Sequence, residues 1–245
     1  MKKEYAEVFQ SEDAVDKYDE VVYASGSPAS AINDRYVAFL RSFVASRYSQ
    51  PPVQHDFACG TGRAMTALDG HVAAAHGYDT SADMIAKAKN KGVKGTFHLV
   101  APDGPVPDPA DHDGPSLVTI FRLLLNTAPD VHDRALEFAA RALPTSDSGY
   151  LVVENHGSRR SLRHLLKPLH RNDEWFNELS HREVAGLFDR HGFQLEETHG
   201  FAVLPSVLHR GPLRRPSQWI DDWSSRQKWL DRWSINVLYV GRRAN

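Results

Sequence analysis

The sequence predicts an α/β domain built on a mostly parallel sheet flanked by helices. Strand-like apolar runs alternate with helical patterns through the middle of the chain, which favours crossover units over separate all-α and all-β regions. A tight turn, Gly60-Thr61-Gly62, separates the first of these strands from the helix that follows it. Neither an internal repeat nor a low-complexity tract competes with this reading.

Each element has its own local cause. Ile32, Tyr36, Val37, Leu40, Phe43 and Val44 recur three or four residues apart between Ala31 and Tyr48, predicting a one-faced helix that ends before Pro51-Pro52. Val53 to Ala58 then reads as a strand, Arg63 to Leu68 as a helix, and Val72 to Tyr78 as a second strand ending at Asp79. Ala82 to Lys89 is helical after Thr80 and Ser81, and Gly95 to Val100 is a third, weaker strand. The proline-rich stretch Pro102 to Pro115 is a loop, because proline removes backbone donors and Asp-Gly pairs favour turns. Leu117 to Phe121 is a fourth strand, Val131 to Leu143 a helix and Gly149 to Glu154 a fifth strand.

A helix carrying Leu162, Leu165, Leu166 and Leu169 follows. Ser180 and Glu183 form a capping box that opens a helix from His181 to His191, ended by Gly192. Phe193 to Leu204, an irregular connection containing a helix, and a terminal strand Ile235 to Val240 complete the chain.

Composition narrows the function. The chain has 245 residues, with 29 Lys+Arg against 31 Asp+Glu and a net charge of -2. That length suits one large domain, and the charge balance gives no reason to expect a general grip on nucleic acid. The single cysteine, Cys59, has no disulfide partner, the start is polar, and no run approaches membrane-spanning length. The chain therefore reads as cytosolic, a monomer or homodimer, with a small-molecule partner and neither DNA nor a membrane among its partners. Histidine is abundant, at 13 residues, and titrates near neutrality, so each position needs weighing.

The glycine turn is the first chemical signal. Missing side chains let a ligand touch the backbone, and the helix after it offers N–H donors. Asp79, at the end of the next strand, is placed to accept hydrogen bonds from both hydroxyls of a ribose, so the pair describes an adenosine-type site. Met65 stands where a dinucleotide fingerprint would put its third glycine, which weighs against a nicotinamide or flavin.

These residues carry a resemblance. The stretch from Asp56 through Cys59-Gly60-Thr61-Gly62 to Arg63 resembles the first motif of class I S-adenosylmethionine-dependent methyltransferases, and Gly77 to Met84 is similar to their second. Thr119 to Asn126, Val152 to Gly157 and Leu179 to Val184 follow in the order of the later strands and helix. The resemblance implies a Rossmann-like, seven-stranded sheet with the last strand inserted antiparallel, and S-adenosylmethionine as cofactor. It implies a single domain with a helical cap over 1–50, a cofactor-binding core over 51–155, lids over 156–180 and 205–233, and a hairpin of 193–204 with 235–240.

By position, the resemblance sets the loop from Gly60 to Gly62 against the methionyl part, Asp79 on the ribose and Met84 beside the adenine. Asp103, after the third strand, is the candidate for the adenine amine, and Ala58, Cys59, Thr80 and Phe121 complete the expected cofactor contacts. Asp56 either shapes the pocket or braces the loop, and Cys59 reads as a small apolar packing group.

Methyl transfer is an in-line displacement in which a base is needed only when the acceptor must lose a proton. His156, after the fifth strand at the carboxyl edge of the sheet, is the candidate base or substrate ligand. Asn126 and Arg122, after the fourth strand, are candidates to orient an acceptor and pair with an anionic group, or else satisfy loop carbonyls. His209 is a weaker candidate in a loop that folds over the site, and His181 reads as a first-turn helix residue.

Phe121-Arg122-Leu123-Leu124 replaces the Pro-Pro stretch of base-modifying amino methyltransferases, which excludes DNA adenine methylation. Arg159, Arg160, Arg163, Lys167 and Arg171, with Arg210, Arg214 and Arg215 later, read as the solvated side of the lids or as a site for an anionic acceptor. Trp219, Trp223, Trp229 and Trp233 form two pairs spaced four apart, a pattern that buries against a core or walls a flat acceptor. Tyr18 and Tyr23 are candidates to close the pocket. A small-molecule O-methyltransferase is the leading expectation, with an RNA or protein methyltransferase and a non-catalytic cofactor-binding protein as the alternatives.

Overall fold

A computed structural model describes residues 28–159, 161, 164, 177–209 and 211–244. Seven strands alternate with helices in the order α1 (Pro28–Arg47), β1 (Val53–Phe57), α2 (Arg63–Ala67), β2 (Ala74–Asp79), α3 (Ala82–Asn90), β3 (Thr96–Leu99), β4 (Ser116–Ile120), α4 (Pro129–Ala142), β5 (Gly149–Asn155), α5 (His181–Arg190), β6 (Phe193–Ala202), α6 (Arg214–Ser224) and β7 (Asn236–Arg243). They form one sheet in the order β3-β2-β1-β4-β5-β7-β6. The first five strands pair in parallel, and β7 runs antiparallel between β5 and β6. The strand order reverses at β1, which lies between β2 and β4, so a crevice opens there at the carboxyl edge.

Burial explains the sequence pattern. Every residue of β1, β4 and β5 is buried, so these strands read as continuous runs rather than as alternations. Successive side chains feed opposite faces: Val118, Ile120, Leu151 and Val153 pack under α4 and α5, whereas Leu117, Val152, Leu238 and Val240 pack under α1 and α2. Tyr36, Leu40, Phe43 and Val44 are the buried stripe of α1, matching the spacing in the sequence. The Ser180–Glu183 capping box forms as its residues predict. The expected lid helix with Leu162, Leu165, Leu166 and Leu169 lies outside the described residues, as do Tyr18 and Tyr23.

The strand register assembles a histidine cluster that composition alone conceals. His55 of β1 pairs with His76 of β2, and Tyr78 of β2 with His98 of β3. The rings stack, His55 on His76 at 5.7 Å and Tyr78 on His98 at 4.6 Å. His55 Nε2 lies 3.2 Å from His112 Nε2 in the proline-rich loop, and Phe138 of α4 covers the group. Burial, reinforced by His112, His76 and His98, pushes the His55 pKa down to about 3.

This cluster makes stability depend on pH with a definite sign. Unfolded His55 takes up a proton below its ordinary value of 6.5 while the folded protein does not, so its contribution falls as pH drops from 6.5 towards 3. Asp56, pushed up to about 7 by burial, contributes the opposite slope, so the test is a difference between two proteins. The unfolding free energy of wild type minus that of His55→Gln should shrink by ~2 kcal/mol between pH 8 and pH 5 in urea melts. A pH-independent difference would contradict the assignment.

Candidate functional site

The carboxyl edge at the strand-order reversal is built from two loops. After β1 the chain turns through Ala58 (φ 58°), Gly60 (φ 54°) and Gly62 (φ 78°) into α2. After β2, Asp79 ends the strand and Ser81 caps α3, its hydroxyl accepting from Met84 N. One carboxylate joins the loops: Asp79 Oδ2 accepts from Gly60 N at 2.7 Å and Oδ1 from Ser81 N at 2.9 Å. Burial raises the Asp79 pKa, and the backbone donors of Ser81, Gly60 and Thr80 oppose that rise.

The two glycines differ in what surrounds them. A Cβ at Gly60 would meet nothing within 4 Å, so the turn faces open space. A Cβ at Gly62 would stand 2.8 Å from Val93 Cγ1, so Gly62 is required by packing. Open space over a glycine turn, a partly exposed carboxylate with lone pairs to spare, and a buried Met84 in the first turn of α3 fit an adenosine-bearing ligand in chemistry and room. Asp103 is exposed in the turn after β3, and Thr80 is exposed beside Asp79. Burial pushes the Cys59 thiol up, which keeps it a neutral packing group. A groove of about 490 Å³ between α1, α2 and residues 91–94 includes Thr61 of the turn in its lining.

Under the loops lies a buried polar layer. Thr119 Oγ1 donates to Asp56 Oδ1 at 2.6 Å and accepts from Gln54 Nε2 at 3.1 Å. Arg63 pairs with Glu154 at 2.5 Å, and its guanidinium lies over the rings of Tyr36 and Phe121 at 5.6 and 5.4 Å. Arg63, Glu154 and Thr119 fall within the expected motif stretches but were assigned no site role from the sequence. Their signal was an arginine directly after the glycine turn and single polar residues at the ends of otherwise apolar strands.

The same edge, after β4 and β5, holds the other candidates. Asn126 and His156 are both buried, with Asn126 Nδ2 3.5 Å from His156 Nε2. Asn126 Nδ2 also donates to Arg122 O at 2.7 Å, so it serves a loop carbonyl as well. Arg122 has φ 57°; it and Ala58 are the non-glycine residues with positive φ among those described, and both sit at this edge. Phe121 is buried beneath α1 against Tyr36.

The lid residues depart from expectation. The four tryptophans do not bury against the core: Trp219, Trp223, Trp229 and Trp233 are all exposed. The second pair lies on a 3-10 helix, Lys228–Trp233, so its spacing of four does not place it on one α-helical face. His209 is buried with its Nε2 2.9 Å from Asp221 Oδ2, and His181 Nε2 donates to Arg232 O at 3.2 Å while its Nδ1 lies 2.7 Å from Tyr239 Oη. Arg159 pairs with Glu183 at 3.0 Å; Arg160, Arg163, Lys167, Arg171 and Arg210 lie outside the described residues.

The sequence model of a family described as a methyltransferase domain matches residues 36–198. No curated protein matches the chain significantly. Among solved structures, the chain is similar to one in the complex between the Haloferax volcanii Trm112 methyltransferase activator and a methyltransferase, at 17% identity and TM-score 0.63 with 100% of each chain covered. It is similar to magnesium protoporphyrin IX methyltransferase from Synechocystis with bound S-adenosylhomocysteine, at 14% identity and TM-score 0.61, covering 95% of this chain and 99% of that one. It is also similar to the cyclase SpnF, at 15% identity and TM-score 0.59, covering 99% and 97%. At these identities the likeness is one of fold.

The contrast between the glycines sets a prediction. Gly60→Ala should lower stability by ~1 kcal/mol, the strain of a left-handed alanine. Gly62→Ala adds a collision with the stiff Val93 and should lose ~3 kcal/mol. Equal losses in urea melts would contradict the open turn at Gly60.

Proposed function

The chain belongs to the methyltransferase-domain family and uses S-adenosylmethionine, and we propose that its acceptor is a hydroxyl of a small molecule, a sugar or other secondary metabolite. The observation that carries this reading is a buried imidazole, His156, at the carboxyl edge beside Asn126. A hydroxyl must shed its proton as its oxygen takes the methyl group, and an imidazole is suited to receive it. At 3.5 Å the Asn126 contact is loose enough for His156 Nε2 to exchange it for an acceptor hydroxyl. Asn126 would then orient the acceptor, and Arg122 would pair with an anionic group on it.

When bound, S-adenosylmethionine supplies an electrophilic methyl group. In this proposal the Asp79 carboxylate holds the ribose hydroxyls, the backbone of Gly60 to Gly62 receives the methionyl part, and Met84 and Asp103 face the adenine. Asp56, bonded to Thr119, braces the loop from beneath. The remaining acceleration comes from alignment and exclusion of water.

The cyclase SpnF has this fold, so product detection is the deciding experiment. Purified protein, S-adenosylmethionine and a panel of hydroxylated metabolites should yield a product heavier by one methylene in mass spectrometry. His156→Ala should lower turnover about 100-fold while S-adenosylhomocysteine binding in calorimetry persists. Asp79→Ala should abolish that binding. Full turnover by His156→Ala on a hydroxyl acceptor would contradict its role as base, and undiminished binding by Asp79→Ala would contradict the ribose assignment.

A further inference from the structure

Helix α6 is inside out. Its buried residues are polar: Ser217, Asp221 and Ser224 face the protein. Asp221 Oδ1 accepts from Val203 N and Leu204 N at 3.0 and 3.1 Å, and Ser217 Oγ donates to Leu208 O at 2.8 Å. These bonds pin the helix to the end of β6 and fix which side looks outward. Trp219 is 68% exposed and Trp223 46%, with Ile220 beside them, and Trp229 and Trp233 are exposed on the separate 3-10 helix that follows. An amphipathic helix normally shows water the opposite face, so an outward indole surface marks a docking face.

Charge selects what it docks against. The acids of this segment are engaged within the protein: Asp221 as above, Asp222 with Arg35 of α1 at 2.6 Å, and Asp231 accepting from Gly200 N at 3.0 Å. The cations Arg214, Arg215, Arg226, Lys228 and Arg232 are all exposed. The outward face is therefore aromatic and positive. A second copy would bring cations against cations. Indoles, with an apolar ring and one N–H donor, favour the headgroup level of a bilayer, and cations among them favour anionic lipid.

We propose that α6 and the turn after it form a peripheral docking surface for an anionic phospholipid membrane. No helix among the described residues is long and apolar enough to cross a membrane, and a helix lying on the surface needs no spanning length. The expectation of no membrane partner rested on the lack of a spanning run, which says nothing about such a contact.

Full-length protein should co-sediment with vesicles of phosphatidylcholine mixed with phosphatidylglycerol and stay in solution with phosphatidylcholine alone. Arg214→Glu combined with Arg215→Glu should weaken partitioning at least about 30-fold, and Trp219→Ala combined with Trp223→Ala should weaken it at least about tenfold. Both variants alter exposed side chains, and unchanged thermal unfolding verifies their fold. Absence of binding to anionic vesicles, or equal binding to neutral ones, overturns the proposal. So does a dimer in sedimentation velocity that the tryptophan substitutions dissolve, which would give the face to a second copy. Binding of an acidic protein with none to vesicles also overturns it.

Discussion

The carboxyl edge depends on one carboxylate held between two loops. Asp79 takes the amide of Gly60 on one oxygen and that of Ser81 on the other, tying the turn after β1 to the turn after β2. A charged acceptor shared by two backbone donors is stronger than a neutral hydrogen bond, and here it shapes a ligand site as well as a turn. The left-handed residues Ala58 and Gly60 are held in place by this tether and by the Cys59 N–H, which donates to Tyr78 O at 3.1 Å.

Below that tether the protein tolerates charges in its core by satisfying them locally. Glu154 is fully buried, but Arg63 meets it from the first residue of α2, its guanidinium over the rings of Tyr36 and Phe121. A buried pair of this kind gains less stability than it gives specificity of arrangement, because both partners lose water. Arg63 thereby links the glycine turn, β5 and α1. Arg35 adds a second link, from α1 to Phe201 O at 2.7 Å and to Asp222 of α6. The glycine turn and α6 are thus joined through α1.

Much of this was legible in the sequence, for physical reasons. Strands buried on both faces read as apolar runs, the glycine turn and capping box have strong local signatures, and the strand borders fell within about three residues. What depended on register or long-range pairing was not legible. His55, His76 and His98 look unrelated until the strands are aligned, and Arg63 lies 91 residues from Glu154. The tryptophan spacing in α6 defined a face but not its direction. That was decided by Asp221 and Ser217, whose hydrogen bonds with Val203 N, Leu204 N and Leu208 O turn the polar side inward.

The central claim is that the Asp79 carboxylate organises both loops, and amide hydrogen exchange at Gly60 and Ser81 tests it most directly. In the wild-type protein both amides should be protected. In Asp79→Ala, where both acceptor oxygens are lost, the Gly60 amide should exchange at least about tenfold faster while amides of β4 and β5 are unchanged. Unchanged protection at Gly60 in the variant would contradict the account.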